Sequence, residues 1–242
     1  MTTRKGASNR AAVGPELLAA LNAGAEQTRT LSEMLVMDFA VLLETVAPQI
    51  DAAPLRIVAD QGVTKRMELA GRLIGPCWRQ LAGHASDTVR GWAAYAIAAK
   101  EGLTLAQRLE LLRPLADDPH FGVREWAWLA LRPHVVADPL EALALLTPWT
   151  AEASANLRRF ASEATRPRGV WCAHVRPLRD DPAPGLAVLQ PLRGDDHRYV
   201  QDSVANWLND AAKDHPDWVR GVVESWQGSA SPYVLKRAAR SL

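Results

Sequence analysis

Cysteine is scarce in this chain of 242 residues. The two present, Cys77 and Cys172, lie far apart and form no CxxC spacing. That excludes a disulfide framework and a cysteine-built zinc site. Long apolar runs are missing, and none approaches the roughly 18 residues of a membrane span. The opening "MTTRKGASNRAAVGPE" is basic but leads into no continuous apolar stretch, so it is not a secretory signal. Period-two alternation and Val/Ile/Thr-rich strand candidates are missing too, which argues against a β architecture. Gly-rich phosphate loops, HExxH, GxSxG and metal-ligand clusters do not occur. The six histidines are scattered, and His120 beside Phe121 reads as a helix-start residue. These absences predict a cytoplasmic chain with no membrane contact, no metal and no cofactor. A net charge of +1 decides nothing about nucleic-acid binding by itself.

What is present is arginine, alanine and helical periodicity. Of 28 basic residues, 23 are arginine, which forks onto phosphates and carboxylates where lysine acts as a point charge; a GC-rich genome produces the same bias. Nearly half of the residues are hydrophobic, so the chain folds and buries a substantial core. Residues 1–14 read as a flexible N-terminal tail, and 15–242 as a single domain.

Apolar residues recur at i, i+3, i+4 and i+7 in blocks broken by Asp-Pro, Gly and Pro. The blocks also resemble one another. "TVRGWAAYAI", "GVREWAWLAL", "NLRRFASEAT", "YVQDSVANWL" and "YVLKRAARSL" place an apolar residue at Val89, Val123, Leu157, Val200 and Val234. The spacings are 34, 34, 43 and 34. Four positions later stand Ala93, Ala127, Ala161, Val204 and Ala238. Helices such as "LTLAQRLELLRPLA" and "DPLEALALLTPW" fall between. A repeated helix pair of this length signals an α-solenoid, whose pairs bury their apolar faces only by stacking. The tetratricopeptide signature is absent. The predicted fold is all-α, a solenoid of HEAT-like helix-pair repeats with a concave face. Asp118-Pro119, Asp138-Pro139 and Asp181-Pro182 are expected to start helices, with Asp as cap and Pro in the first turn.

The five repeated helices are taken to line that face. They carry Arg90 and Trp92; Arg124, Glu125, Trp126 and Trp128; Arg158, Arg159 and Glu163; Asp202, Asn206, Asn209 and Asp210; and Lys236, Arg237 and Arg240. Arginine among aromatics suits a phosphate backbone; the plainer alternative makes the tryptophans core and pairs the arginines with acids. Six arginines lie from Arg158 to Arg179 with Glu163 as the one acid among them. That excess, which includes Arg166 and Arg168, is expected to lack internal partners. Arg159 and Glu163 stand four apart and share a helix face. Such a pair is usually structural. If partly buried, it holds a carboxylate ionised and able to stabilise positive charge or to position a water.

The strings "FGVREWA" (121–127), "NLRRFASEATRPRGVW" (156–171) and "YVQDSVANWLNDAAKDHPDWV" (199–219), with the closing "YVLKRAARSL", resemble the AlkC branch of the AlkC/AlkD DNA alkylation repair glycosylases from about residue 28 onward. The resemblance implies a monofunctional, monomeric and nucleoid-associated glycosylase. Such an enzyme hydrolyses the N-glycosidic bond of cationic bases such as 3-methyladenine and 3-methylcytosine in duplex DNA without base flipping. A base that is already cationic leaves without protonation, so the site needs only carboxylates to stabilise the sugar cation and a water. By position the resemblance makes Glu125, Arg159 and Glu163 catalytic. Trp171 meets lesion or sugar, beside Trp126, which stands where better-known members carry Phe and so reshapes the pocket. Arg124, Arg158, Arg166, Arg168, Asp202, Ser203, Asn206, Lys236 and Arg237 would contact DNA. The Ig-like C-terminal domain of many members is expected to be absent. The rival expectation is a non-catalytic HEAT scaffold that binds nucleic acid or a protein, since fold alone does not select function.

Overall fold

The computed structural model describes residues 4–242, with Ser241 described by its backbone alone. The described residues form sixteen α-helices and no strand. In order these are α1 (Pro15–Asn22), α2 (Leu31–Leu35), α3 (Phe39–Val46), α4 (Ala53–Ile57), α5 (Val63–Leu73), α6 (Trp78–Leu81), α7 (Asp87–Ala99) and α8 (Leu105–Ala116). There follow α9 (Phe121–Ala137), α10 (Pro139–Leu146), α11 (Ala155–Ala164), α12 (Arg176–Asp180), α13 (Leu186–Leu192), α14 (Arg198–Ala212), α15 (Pro216–Ser225) and α16 (Pro232–Ala238). Two compact units divide the chain. The first runs to Leu103 and includes Asp118–Ala130; the second holds Thr104–Asp117 and Leu131–Leu242.

The repeat governs the architecture, which is all-α and built of HEAT-like helix pairs. Val89, Val123, Leu157, Val200 and Val234 fall on α7, α9, α11, α14 and α16, and all are buried. So are Ala93, Ala127, Ala161, Val204 and Ala238, four residues on, because positions i and i+4 share one face of a helix. Their small size lets neighbouring helices approach: α5 packs on α7 in the first unit, and α11 on α14 and α14 on α16 in the second.

The residue after each of the first four, Val89, Val123, Leu157 and Val200, does a second job. Arg90 Nη1 donates to the carbonyls of His84 (2.7 Å) and Ala85 (2.9 Å). Arg124 reaches those of Asp118 (2.6 Å) and Pro119 (3.0 Å). Arg158 reaches those of Glu152 (2.9 Å) and Ala153 (2.8 Å). Gln201 reaches that of Asp195 at 2.7 Å. Each long side chain thus satisfies carbonyls in the turn before its own helix, where no ladder can. Arg90 then forks onto Asp118 (2.7 and 3.1 Å) and Arg158 onto Asp195 (2.6 and 3.1 Å), stitching one repeat to the next.

Asp138 caps α10 as expected, accepting from Glu141 N at 2.9 Å with Pro139 in the first turn. Asp118 and Asp181 differ: each accepts from the N–H two residues on, at His120 (2.7 Å) and Ala183 (3.0 Å), forming Asx turns ahead of a helix. Of the tail expected over 1–14, the first three residues lie outside those described. From Arg4 onward the chain is tied to the fully buried Glu33, by Arg4 Nη1 at 2.6 Å and Ala7 N at 2.7 Å.

Candidate functional site

In the second unit, α11 starts at Ser154, whose hydroxyl accepts from Asn156 N at 3.2 Å. One turn in, the chain presents Arg159 and, a turn later, Glu163. Both are buried, at 7% and 4% exposure. Arg159 Nη2 lies 3.4 Å from Glu163 Oε2, and its guanidinium sits over the Tyr199 ring, 4.6 Å from the centroid. Arg166 Nη1 donates to Glu163 Oε1 at 2.7 Å, while its Nε and Nη2 reach Asp210 at 2.9 and 2.8 Å. Ser203 Oγ donates to Glu163 Oε2 at 2.7 Å and in turn accepts from Ser162 Oγ at 2.7 Å. Lys213 Nζ stands 3.4 Å from the other Asp210 oxygen. Burial pushes the Glu163 carboxyl pKa up, but Arg159, Arg166 and the Ser203 hydroxyl outweigh it, and the net shift is downward. The result is a dry carboxylate that stays ionised.

Sequence reasoning named Asp210 on its helix but not its part in this cluster, and missed Arg132 altogether. Asp210 lies seven residues after Ser203 on α14, two turns along the same face, and that spacing is the signal that would have found it. Arg132, inside the apolar run "LALRPH", is 1% exposed. Its guanidinium donates to the carbonyls of Ala164 (2.8 Å), Arg166 (2.6 Å) and Ala173 (2.9 Å). A cation thereby covers the C-terminal carbonyls of α11, where the helix dipole is negative. Burial pushes its pKa down.

The arginine excess from 158 to 179 is mostly neutralised, which corrects the expectation that it lacks internal partners. Arg158 pairs with Asp195, Arg166 with Glu163 and Asp210, and Arg168 and Arg179 with Asp214. Apart from Glu163, the acids sit 35 to 46 residues downstream, on or near α14, so a local count of charge does not see them. Arg176 is different: it is exposed and has no hydrogen bond or ion pair within the described residues. Further along, Arg237 Nη1 contacts Asp202 at 2.6 Å and its Nη2 reaches Asn206 at 3.2 Å, so these expected DNA contacts hold one another. Lys236 is exposed beside them. Trp171 lies 52% exposed next to Val170 at 63%, and is the one non-glycine residue with positive φ (63°) among those described.

In the first unit, Glu125 is part-exposed and accepts from Trp128 Nε1 at 2.8 Å. Trp126 is core, not surface. It is 2% exposed, its ring 6.2 Å from that of Tyr95, and it lies against Gly91, where an added Cβ would come within 2.7 Å of it. That burial corrects the expectation of contact with lesion or sugar: position 126 follows Val123 by three and so falls on the packed stripe of α9. No group of three or more His, Cys, Asp or Glu side chains able to hold a metal occurs among the described residues. None of their helices is long and apolar enough to cross a membrane.

HEAT-like helix pairs with carboxylates set among arginines define a class of helical-repeat protein. Residues 123–242 match the DNA alkylation repair enzyme family. It is 35% identical over 140 residues to the Bacillus subtilis (strain 168) protein YhaZ, an alignment taking in 57% of this chain and 38% of that protein. It is similar in fold to the Pseudomonas fluorescens alkylpurine DNA glycosylase AlkC bound to DNA containing an abasic site analog. There the TM-score is 0.65 and the identity 22%, over 99% of this chain and 64% of that one. AlkD2 from Streptococcus mutans matches with a TM-score of 0.60 and 20% identity, over 84% and 96%. The chain thus spans well under half of the curated relative and somewhat under two thirds of the AlkC chain.

Proposed function

We propose that the protein is a monofunctional DNA glycosylase that releases cationic alkylated bases, of the 3-methyladenine and 3-methylcytosine type, from duplex DNA. The observation that carries this reading is the Glu163 carboxylate, buried yet held ionised by two guanidiniums and a serine hydroxyl inside the family-matched segment. A cationic base needs no general acid to leave. The barrier lies in the positive charge that develops on the sugar as the glycosidic bond breaks, and a fixed carboxylate in a dry setting opposes that charge more strongly than one in water. Glu125, part-exposed and oriented by the Trp128 indole, is itself proposed as a catalytic carboxylate, able to hold a water by hydrogen bond. Trp171 offers an exposed aromatic face to sugar or lesion. The base is processed while stacked in the duplex.

DNA binding is assigned to Arg124, Arg158, Arg166, Arg168, Asp202, Asn206, Lys236 and Arg237; Ser203, expected among them, is 2% exposed with its hydroxyl spent on Glu163 and Ser162, which corrects that expectation. The ion pairs give this assignment a physical condition. Arg158, Arg166, Arg168 and Arg237 already answer carboxylates, so a phosphate must share their remaining N–H groups or compete with an acid. Lys236 needs no such exchange.

One observation favours a non-catalytic scaffold instead: both Glu163 oxygens already have partners, as a structural carboxylate would. The deciding experiment is base release from methylated duplex DNA by wild type, Glu163→Gln and Glu125→Gln, with products identified by mass and folding checked by thermal melting. Release of 3-methyl bases by wild type, lost in a folded Glu163→Gln that still binds DNA, supports the glycosylase. DNA binding with no release by wild type sinks it.

A further inference from the structure

Between α11 and α13 not every arginine has a carboxylate of its own. Arg168 and Arg179 share a single acid, Asp214. Arg176, at the start of α12, is exposed with no intramolecular partner among the described residues. Beside these groups opens a cavity of about 530 Å³ lined by Val136, Ala173, His174, Arg176, Pro177 and Arg179, all in the second unit.

The histidine in that lining has a defined proton. Arg179 Nη1 lies 3.2 Å from His174 Nδ1. A guanidinium only donates, so Nδ1 accepts and the ring's proton sits on Nε2. Burial, and after it the charges of Arg179, Arg168 and Arg132, hold the imidazole pKa below its usual value, so the ring is neutral at pH 7 and remains an N–H donor. The second nearby histidine, His215, is spent on the Arg179 carbonyl at 2.7 Å. Of the facing acids, Asp214 is shared by Arg168 and Arg179, and Asp181 accepts from Ala183 N at 3.0 Å. Asp180 is exposed at the end of α12.

We propose that this cavity is a phosphodiester-binding subsite, with Arg176 and Arg179 as the charged donors and His174 Nε2–H as the neutral one. Permanent guanidinium charge with a neutral N–H matches the tetrahedral oxygens of a phosphate monoanion. The apolar remainder of the lining, Val136, Ala173 and Pro177, suits the deoxyribose that flanks a strand phosphate. The proposal rests on the DNA reading above. The shared chemistry admits two sources, a DNA strand or free phosphate.

Arg176→Ala removes a side chain that holds nothing else, so it leaves folding intact. The test measures the affinity of full-length wild type, Arg176→Ala, Arg176→Lys and a charge control, Arg220→Gln, for an unmodified DNA duplex across a salt series. Each phosphate contact contributes about 0.9 to the slope of log K against log salt. Arg176→Ala is expected to lower the slope by roughly one, with Arg176→Lys and Arg220→Gln near wild type. In parallel, inorganic phosphate is titrated at constant ionic strength while the His174 ring is followed by NMR. An unchanged slope in Arg176→Ala, or an equal drop in Arg220→Gln, overturns the proposal. A His174 response to phosphate with an unchanged DNA slope overturns the strand assignment and leaves a site for the free ion. Base release reports separately: a wild type that loses slope in Arg176→Ala yet releases no base refutes the glycosylase and keeps the subsite.

Discussion

Ser203 donates its hydroxyl hydrogen to Glu163 across 2.7 Å, from α14 to α11, at a separation of 40 positions in the chain. The same hydroxyl accepts from Ser162, so one oxygen joins two helices and orients a carboxylate. Ser203→Ala leaves a buried carboxylate oxygen and a buried hydroxyl each short of a partner. The expected loss of stability is about 1–3 kcal/mol, the usual cost of stranding a buried polar group. Ser203 acts through Glu163, so kcat for base release should fall about tenfold with KM little changed, and Ser203→Thr, which keeps the hydroxyl, should restore part of it. A Ser203→Ala variant with wild-type kcat would falsify the positioning role.

Arg132 stakes more on geometry than on charge. Three separate carbonyls depend on its planar fork. Arg132→Met strands them in a buried setting and should cost about 3–5 kcal/mol, read as a lowered urea midpoint. Arg132→Lys should recover little of this, because an ammonium at one point does not reach three carbonyls spread across a loop. Equal midpoints for Lys and wild type would show that charge alone suffices.

At the other end of the chain, Glu33 makes an acid-sensitive tie. Burial raises its carboxyl pKa, but Arg4 and the N–H groups of Ala7 and Arg29 outweigh that and pull it from 4.5 to about 2. The folded value is depressed, so the stabilisation is fully present above pH 4.5 and disappears as pH falls toward 2. It amounts to no more than about 3 kcal/mol, less whatever salt screens at the part-exposed Arg4. Melting temperatures of wild type and Glu33→Gln should therefore differ most above pH 4.5 and converge toward pH 2. A constant gap across that window would remove Glu33 from the acid limb.

The helices and their buried register were legible in the sequence because they are local: Val89, Val123 and Leu157 repeat at 34 residues, and the small residue four places on follows from the helical turn. Arg159 and Glu163 were legible as a pair for the same reason. The partners of Arg158, Arg166 and Arg168 were not, since Asp195, Asp210 and Asp214 reach them only after the chain has folded back through α12 and α13. Trp126 shows a different limit. The family resemblance set it against lesion or sugar, but three residues past a buried valine it packs inward against Gly91. Arg132 gave no warning, because its partners are backbone carbonyls, which every residue carries.

Trp171 couples backbone strain to the proposed chemistry. A tryptophan at φ 63° occupies the left-handed region that side chains with a Cβ avoid, at a cost of about 1–2 kcal/mol. The side chain buys no burial in return, since half of it faces solvent. Trp171→Gly relieves the strain and frees the unfolded chain, and the relief is the larger of the two effects. Trp171→Ala removes the ring and keeps the strain. The glycine variant should therefore be more stable than the alanine variant by about 1 kcal/mol, a comparison made with urea midpoints. Both should lose base release to a similar degree, because both lack the aromatic face offered to sugar or lesion. If alanine proves as stable as glycine, the strain is not real. If either variant releases bases at the wild-type rate, the ring has no part in the reaction and its exposure needs another account.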